Sequence, residues 1–212
     1  MTADQPVVGS GVGSDPPIDA RLGQMSLEAW GALPEDEPGE LVDGSLVEDE
    51  EPENAHEIVV TWLIWALRQW GTSRGAVVLG SGAKFAISSD RGRMPDISVF
   101  LAGPPRPPRT GLNRRPPSIA VEIVSPTPRD ARRDRVEKLA EYASFGVRWY
   151  WLVDPGLRSF QIHELDAFGR YVHVVDATVG VIDPVPGCEG LKIDLAALWG
   201  DVDALAEQNE GE

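Results

Sequence analysis

Residues 118–124 read Ser-Ile-Ala-Val-Glu-Ile-Val. A run this apolar and β-branched belongs in the interior of a sheet, covered on both faces. It therefore demands packed layers above and below, and a chain of 212 residues is long enough to supply them around one core. Side chains alternate along a strand, so Ala120, Glu122 and Val124 share one face. An ionised carboxylate in that position costs several kcal/mol unless it is paired or bound to a cation.

A second strand poses the same problem. In "RGRMPDISVF" (91–100), Ile97, Val99 and Phe100 are strand formers, and Asp96 stands at the mouth of the run. Aspartate is depleted in strands and costly to bury as an ion. The loop from 103 to 117 holds six prolines and cannot be regular structure, but it is long enough to bring the two strands side by side. Two adjacent strands with one acid each would make an oxygen-ligand pocket suited to Mg2+ or Mn2+. The competing reading is that each carboxylate meets an arginine, and sixteen arginines make that easy.

Other elements surround these strands. Residues 40–48 read as two short strands around an Asp43-Gly44 turn. A helix follows over 54–71, with Asn54 and Glu57 at N-cap and N3 spacing and Gly71 at its end. Its apolar residues spread around much of the circumference, which predicts burial on most sides. Residues 76–87 give one or two strands. A second helix is signalled by Thr127 as cap, Pro128 at the first position, Asp130 completing a capping box and Gly146 as terminator. Val136, Leu139, Ala140 and Ala143 form its expected buried stripe. Residues 148–155 form a strand, 159–165 and 170–176 a hairpin-like pair, and "LKIDLAALWG" closes the domain. This order predicts an α/β sheet with a helix on each side. Residues 1–24 read as a disordered tail, 25–200 as the folded domain and 201–212 as an acidic tail.

The single Cys188 excludes a disulfide scaffold and a thiolate zinc site, and three histidines make a histidine metal cluster improbable. The start of the chain lacks a signal-peptide pattern, and no apolar stretch is long enough to span a bilayer, so a cytoplasmic location is the default expectation. The net charge of −15 is unevenly placed. Residues 31–57 hold eleven acids and no base, whereas residues 104–150 hold ten bases against five acids. A polyanion would feel that local excess of +5 most strongly, because screening acts within about 10 Å at moderate salt. A solvated arginine-rich loop explains the same charge equally well.

Lysine is scarce: Lys84, Lys138 and Lys192. Lys138 lies in the helix after the Glu122 strand. It could pair with Asp134 or Glu141 on the surface, or reach over the sheet end towards the two acids and stabilise developing charge there. Helical spacing alone favours the surface pair.

The ordered set "MPD", "VEIVSPT" and "RDRVEKLAEYASFGVRWYWLVDP" resembles the Uma-type restriction endonucleases, within the PD-(D/E)xK nuclease superfamily. The resemblance covers roughly residues 25–200 and includes "GELVDGSLVE", the helix around His56 and "LKIDLAALW". It implies a restriction-endonuclease-like α/β core: a mixed central sheet flanked by helices, with an N-terminal β-hairpin and C-terminal strands. It also implies a Mg2+-dependent (or Mn2+-dependent) endonuclease acting on DNA. By position, Asp96 and Glu122 match the paired metal-holding acids, with the Val124 carbonyl as a third protein ligand. The superfamily lysine should follow two residues after the glutamate, where this chain has Val124. The resemblance makes Lys138 its substitute and Lys84 the reserve. Glu40 matches an early family acid. His56, Arg114, Arg115, Arg129 and Arg132 are the expected phosphate contacts, with Arg106, Arg109 and Arg133 as further ones. Tyr142, Tyr150 and Trp151 read as core. A homodimer would let two sites address two strands. The alternative is a catalytically inactive nuclease fold kept as a binding or interaction module.

Overall fold

A computed structural model describes residues 24–34, 39–47, 53–125 and 133–205. The chain opens with a short helix unforeseen from the sequence, α1 (Leu27–Gly31), whose N-cap Ser26 accepts from the Ala29 amide. Strands β1 (Glu40–Val42) and β2 (Ser45–Val47) pair antiparallel about Asp43 and Gly44. Both turn residues have positive φ, 51° and 74°, as a tight two-residue hairpin requires. Helix α2 (Asn54–Gly71) leads to β3 (Val77–Leu79), β4 (Phe85–Ala86), β5 (Gly92–Arg93), β6 (Ile97–Phe100) and β7 (Ile119–Ile123). A π-helical turn (Arg133–Glu137) runs into α3 (Lys138–Phe145), closed by Gly146 in the left-handed conformation. The chain finishes with β8 (Trp149–Asp154), β9 (Ser159–Leu165), β10 (Tyr171–Ala177), β11 (Val181–Ile182), β12 (Ile193–Asp194) and α4 (Leu195–Asp203).

Six strands form the central sheet in the order β10-β9-β8-β7-β6-β3, with β7 and β8 parallel and the other pairs antiparallel. The apolar run is thus an interior strand, and every residue of β7 is buried. Val121, Trp151 and Ile162 stand in register across one face, where Val59, Leu63 and Leu67 of α2 and Leu198 and Trp199 of α4 join them. Ala120 and Tyr150 stand in register on the other, packed with Tyr142 of α3. This is the expected mixed sheet with helices on both sides. A smaller sheet, β2-β1-β5-β4, lies beside it. Trp30 seals that sheet: it is fully buried and donates its indole N–H to the Gly39 carbonyl at 2.9 Å.

Several expectations need correction. Val136 is 57% exposed, and the buried face of α3 and its preceding turn is Asp134, Lys138 and Tyr142. The helix turns a polar stripe inward because partners on other elements meet it there. Helix α2 is not buried on most sides. Val59, Leu63, Ala66 and Leu67 face the core, whereas Trp65 is 61% exposed. Its N-cap is Glu53 rather than Asn54, with no side-chain capping bond. Asp201 and Asp203, assigned to an acidic tail, are the last residues of α4. The proposed cap of the second helix (127, 128 and 130), most of the N-terminal tail and residues 206–212 lie outside the described residues.

Gly92 meets Trp30 so closely that an added Cβ would lie 2.3 Å from the indole ring. Gly92→Ala is expected to lower stability by about 1–3 kcal/mol through overpacking. Val136→Ser is expected to stay within about 0.5 kcal/mol of the parent. Urea denaturation followed by tryptophan fluorescence measures both.

Candidate active site

The antiparallel register pairs Ile97 with Val121. Continued by one residue, it sets Asp96 opposite Glu122. Residues directly opposite on one face have Cβ atoms about 4.5–5.5 Å apart, and like charges there repel. Asp96 also extends the ladder with its side chain: Oδ2 accepts from the Ile123 amide at 2.7 Å. His56, in the first turn of α2, brings Nε2 to 3.2 Å from Asp96 Oδ1. Burial works to lower the His56 pKa. The hydrogen bond and charge of Asp96, with Glu57 adding to them, outweigh it and hold the value above the ordinary 6.5.

Glu122 is buried, and both its oxygens carry donors. Lys138 Nζ lies 2.9 Å from Oε2, and the Tyr142 hydroxyl donates to Oε1 at 2.6 Å. Among the described residues, no guanidinium clamps either acid. Burial drives the Glu122 pKa well up. Lys138 opposes the rise, while Asp96, Asp134 and Glu40 add to it. The net effect is upward even with an ammonium in contact, so further positive charge at this spot would be favourable. For Lys138, burial works downward, but Glu122, Glu40, Asp134 and Asp96 together hold its pKa well above the ordinary 10.5. Its amine is an ammonium at any physiological pH.

Lys138 does pair with Asp134, at 3.3 Å, but inside the protein rather than on the surface. It also lies 3.5 Å from Glu40. Glu40 is fully buried and accepts from Arg93 Nη1 at 2.7 Å and from the Met94 amide at 3.0 Å. Arg93 in turn grips Glu141 of α3 with two bonds, 2.6 and 2.9 Å long. Arg91 joins Glu141 to Asp43. A chain of charged groups therefore ties the small sheet to α3 directly behind Lys138.

The structure thus brings Asp96, Glu122, Lys138, Glu40 and His56 together. Val124 is beside them, but its amide points away, to the Val153 carbonyl of β8. Lys84 donates to the carbonyls of Trp30 and Leu33 at the end of α1. Arg109 and Arg115 are exposed, Arg114 pairs with Glu28, and Arg106 donates to the Gly75 carbonyl. Arg129 and Arg132 lie outside the described residues, as does the Arg133 side chain. Sequence reasoning gave Tyr142 only a core role and Asp134 only a surface pairing, and it passed over Arg93. The first two were within reach, because Asp134, Lys138 and Tyr142 recur at helical spacing on one face.

The chain matches, over residues 26–196, the family described as "Uma2: Putative restriction endonuclease". It belongs to that family. Among curated proteins none matches. A crystal structure from Anabaena variabilis, described as a "putative nuclease belonging to DUF820", is similar in fold. Its TM-score is 0.67 at 19% identity, over 84% of this chain and 99% of that one. The Uma2 chain thus has a restriction-endonuclease-like fold. Among the described residues, no three His, Cys, Asp or Glu side chains gather as a metal-ligand set, and no helix is long and apolar enough to cross a membrane.

Lys138→Met leaves Glu122 buried without its cation and is expected to cost about 3–5 kcal/mol at neutral pH. The cost should shrink as pH falls, because a protonated Glu122 no longer needs the ammonium. Tyr142→Phe removes one hydrogen bond to a charged group and should cost about 1.5–3 kcal/mol. Urea midpoints across a pH series check both.

Proposed function

We propose that this chain is a divalent-metal-dependent nuclease that hydrolyses phosphodiester bonds of DNA. The observation that carries this reading is the pair of carboxylates, Asp96 and Glu122, on adjacent strands. Among the described residues, they are held by an amide, a histidine, a tyrosine and a lysine rather than neutralised by arginines. Two carboxylates with a main-chain carbonyl suit Mg2+, which usually keeps several waters and leaves room for substrate phosphate. Each carboxylate oxygen has a second lone pair beyond the one its present donor uses.

The main-chain ligand needs revision. The Ile123 amide faces Asp96 while the Val124 amide faces β8. In an extended strand the amide and carbonyl of one residue point to the same side, so Ile123 rather than Val124 is the fitting donor. A bound Mg2+ would lower the pKa of its water and neutralise charge on the phosphate. The protein's own groups do the rest. Tyr142 and Lys138 fix the orientation of Glu122, and the Ile123 amide and His56 fix Asp96. The Lys138 ammonium supplies a permanent positive charge beside the reacting phosphate. Glu40 holds Lys138 from behind. Arg109, Arg114 and Arg115, on an exposed loop, serve as phosphate contacts.

The inactive binding module is favoured by one observation: three of the four oxygens of Asp96 and Glu122 accept a hydrogen bond, and the fourth lies 3.2 Å from His56 Nε2. It predicts no saturable Mg2+ binding by calorimetry. On the nuclease reading, the purified chain nicks or linearises plasmid DNA with Mg2+ and not with chelator. Asp96→Asn and Glu122→Gln reduce cutting to background while circular dichroism stays unchanged. Cleavage that persists undiminished in both variants refutes the assignment.

A further inference from the structure

One guanidinium stands on the same rim of the central sheet as the two acids. Glu122 of β7 is in register with Leu152 of β8, so Asp154, two residues further along, projects from the same face. Strand spacings put its Cα about 8 Å from that of Glu122. Asp154 accepts from Arg135 Nη2 at 2.5 Å and from the Leu157 amide at 2.8 Å. Arg135 belongs to the π-helical turn that also carries Asp134, whose carboxylate meets Lys138. The acids, the ammonium and this guanidinium therefore share one rim.

Arg135 differs from the nearby arginines in its remaining donors. Arg91 and Arg93 give theirs to Asp43, Glu40 and Glu141, and Arg93 is fully buried. Among the described residues, Arg135 uses only Nη2, and its side chain is 30% exposed. Nε and Nη1 are left for a ligand. One arm of the planar fork is fixed by a carboxylate that is itself tied to the backbone, so little freedom is lost when the other arm binds. A guanidinium matches phosphate through parallel N–H bonds. Carboxylates crowd the same rim and repel a polyanion, so a fixed cation there is what lets a DNA strand approach.

We propose that Arg135 binds a backbone phosphate of DNA next to the phosphate held at Asp96 and Glu122. The position of the cut rests on the nuclease reading, whereas the phosphate contact is tested by binding alone.

The test is fluorescence anisotropy of a labelled duplex over a salt series, with Ca2+ in place of Mg2+. Each phosphate contact adds about 0.9 to the slope of log affinity against log salt. Arg135→Gln should lower the slope by that amount and weaken binding equally for duplexes of different sequence. Asp154→Asn breaks the same ion pair but keeps the guanidinium, so its slope should match the parent's. A merely structural ion pair would make the two variants alike. Should Arg135→Gln fail to fold, the Arg135 Nε–H signal in the parent's NMR spectrum decides: it shifts on adding duplex, and an unmoved signal overturns the proposal. An Arg135→Gln slope equal to the parent's overturns it, as does an equal fall in Asp154→Asn. If the parent still cuts with Mg2+ in that case, the nuclease reading stands without it. A parent that binds no duplex overturns the proposal, and the nuclease reading falls too if Mg2+ brings no cutting.

Discussion

The buried contact between Lys138 and Glu122 is the constraint around which the rest of this structure is arranged. An ammonium and a carboxylate removed from water gain little over a well-packed apolar pair, and losing either partner is severe. The fold meets this cost with many hands: Tyr142 on the second oxygen of Glu122, and Asp134 and Glu40 on the far side of the amine. No single element supplies these groups. They come from β7, from α3 with its preceding turn, and from β1, so the elements must be correctly docked before the charges are satisfied.

Arg93 carries that requirement outwards. It is fully buried between Glu40 of the hairpin and Glu141 of α3. The small sheet is therefore more than an appendage to the central one; it closes the polar cluster from behind. Gly92, next to Arg93, accommodates Trp30, and Trp30 seals the same sheet from the other side. Apolar packing and ionic pairing thus meet within two consecutive residues of one very short strand.

Much of this was legible in the sequence. The Asp43-Gly44 turn, the apolar run around Glu122, the acid at the mouth of the preceding strand and the Gly146 terminator each have a local physical cause. What could not be read was non-local. Val136 looked like core because its neighbours at helical spacing are apolar. The stripe actually buried, Asp134, Lys138 and Tyr142, is polar and makes sense only once Glu122 and Glu40 are known to lie opposite. Arg93 is silent for the same reason, and the pairing that makes β5 a strand comes from β1 and β4. Trp65 of α2 repeats the case of Val136: a residue apolar enough for a core stands 61% exposed on the surface.

The lysine sits on a helix, whereas the acid it touches sits on a strand. On one strand, the separation of two side chains is dictated by backbone geometry and leaves selection little to adjust. Here the gap depends on how high α3 rides above the sheet, which is set by the bulk of Ala120, Tyr150 and Leu152 beneath it. Reach and orientation of the ammonium can therefore drift through ordinary apolar substitutions several ångströms away, with both carboxylates untouched. Lineages sharing the same acids could in this way diverge in reactivity by altering only the cushion under one helix.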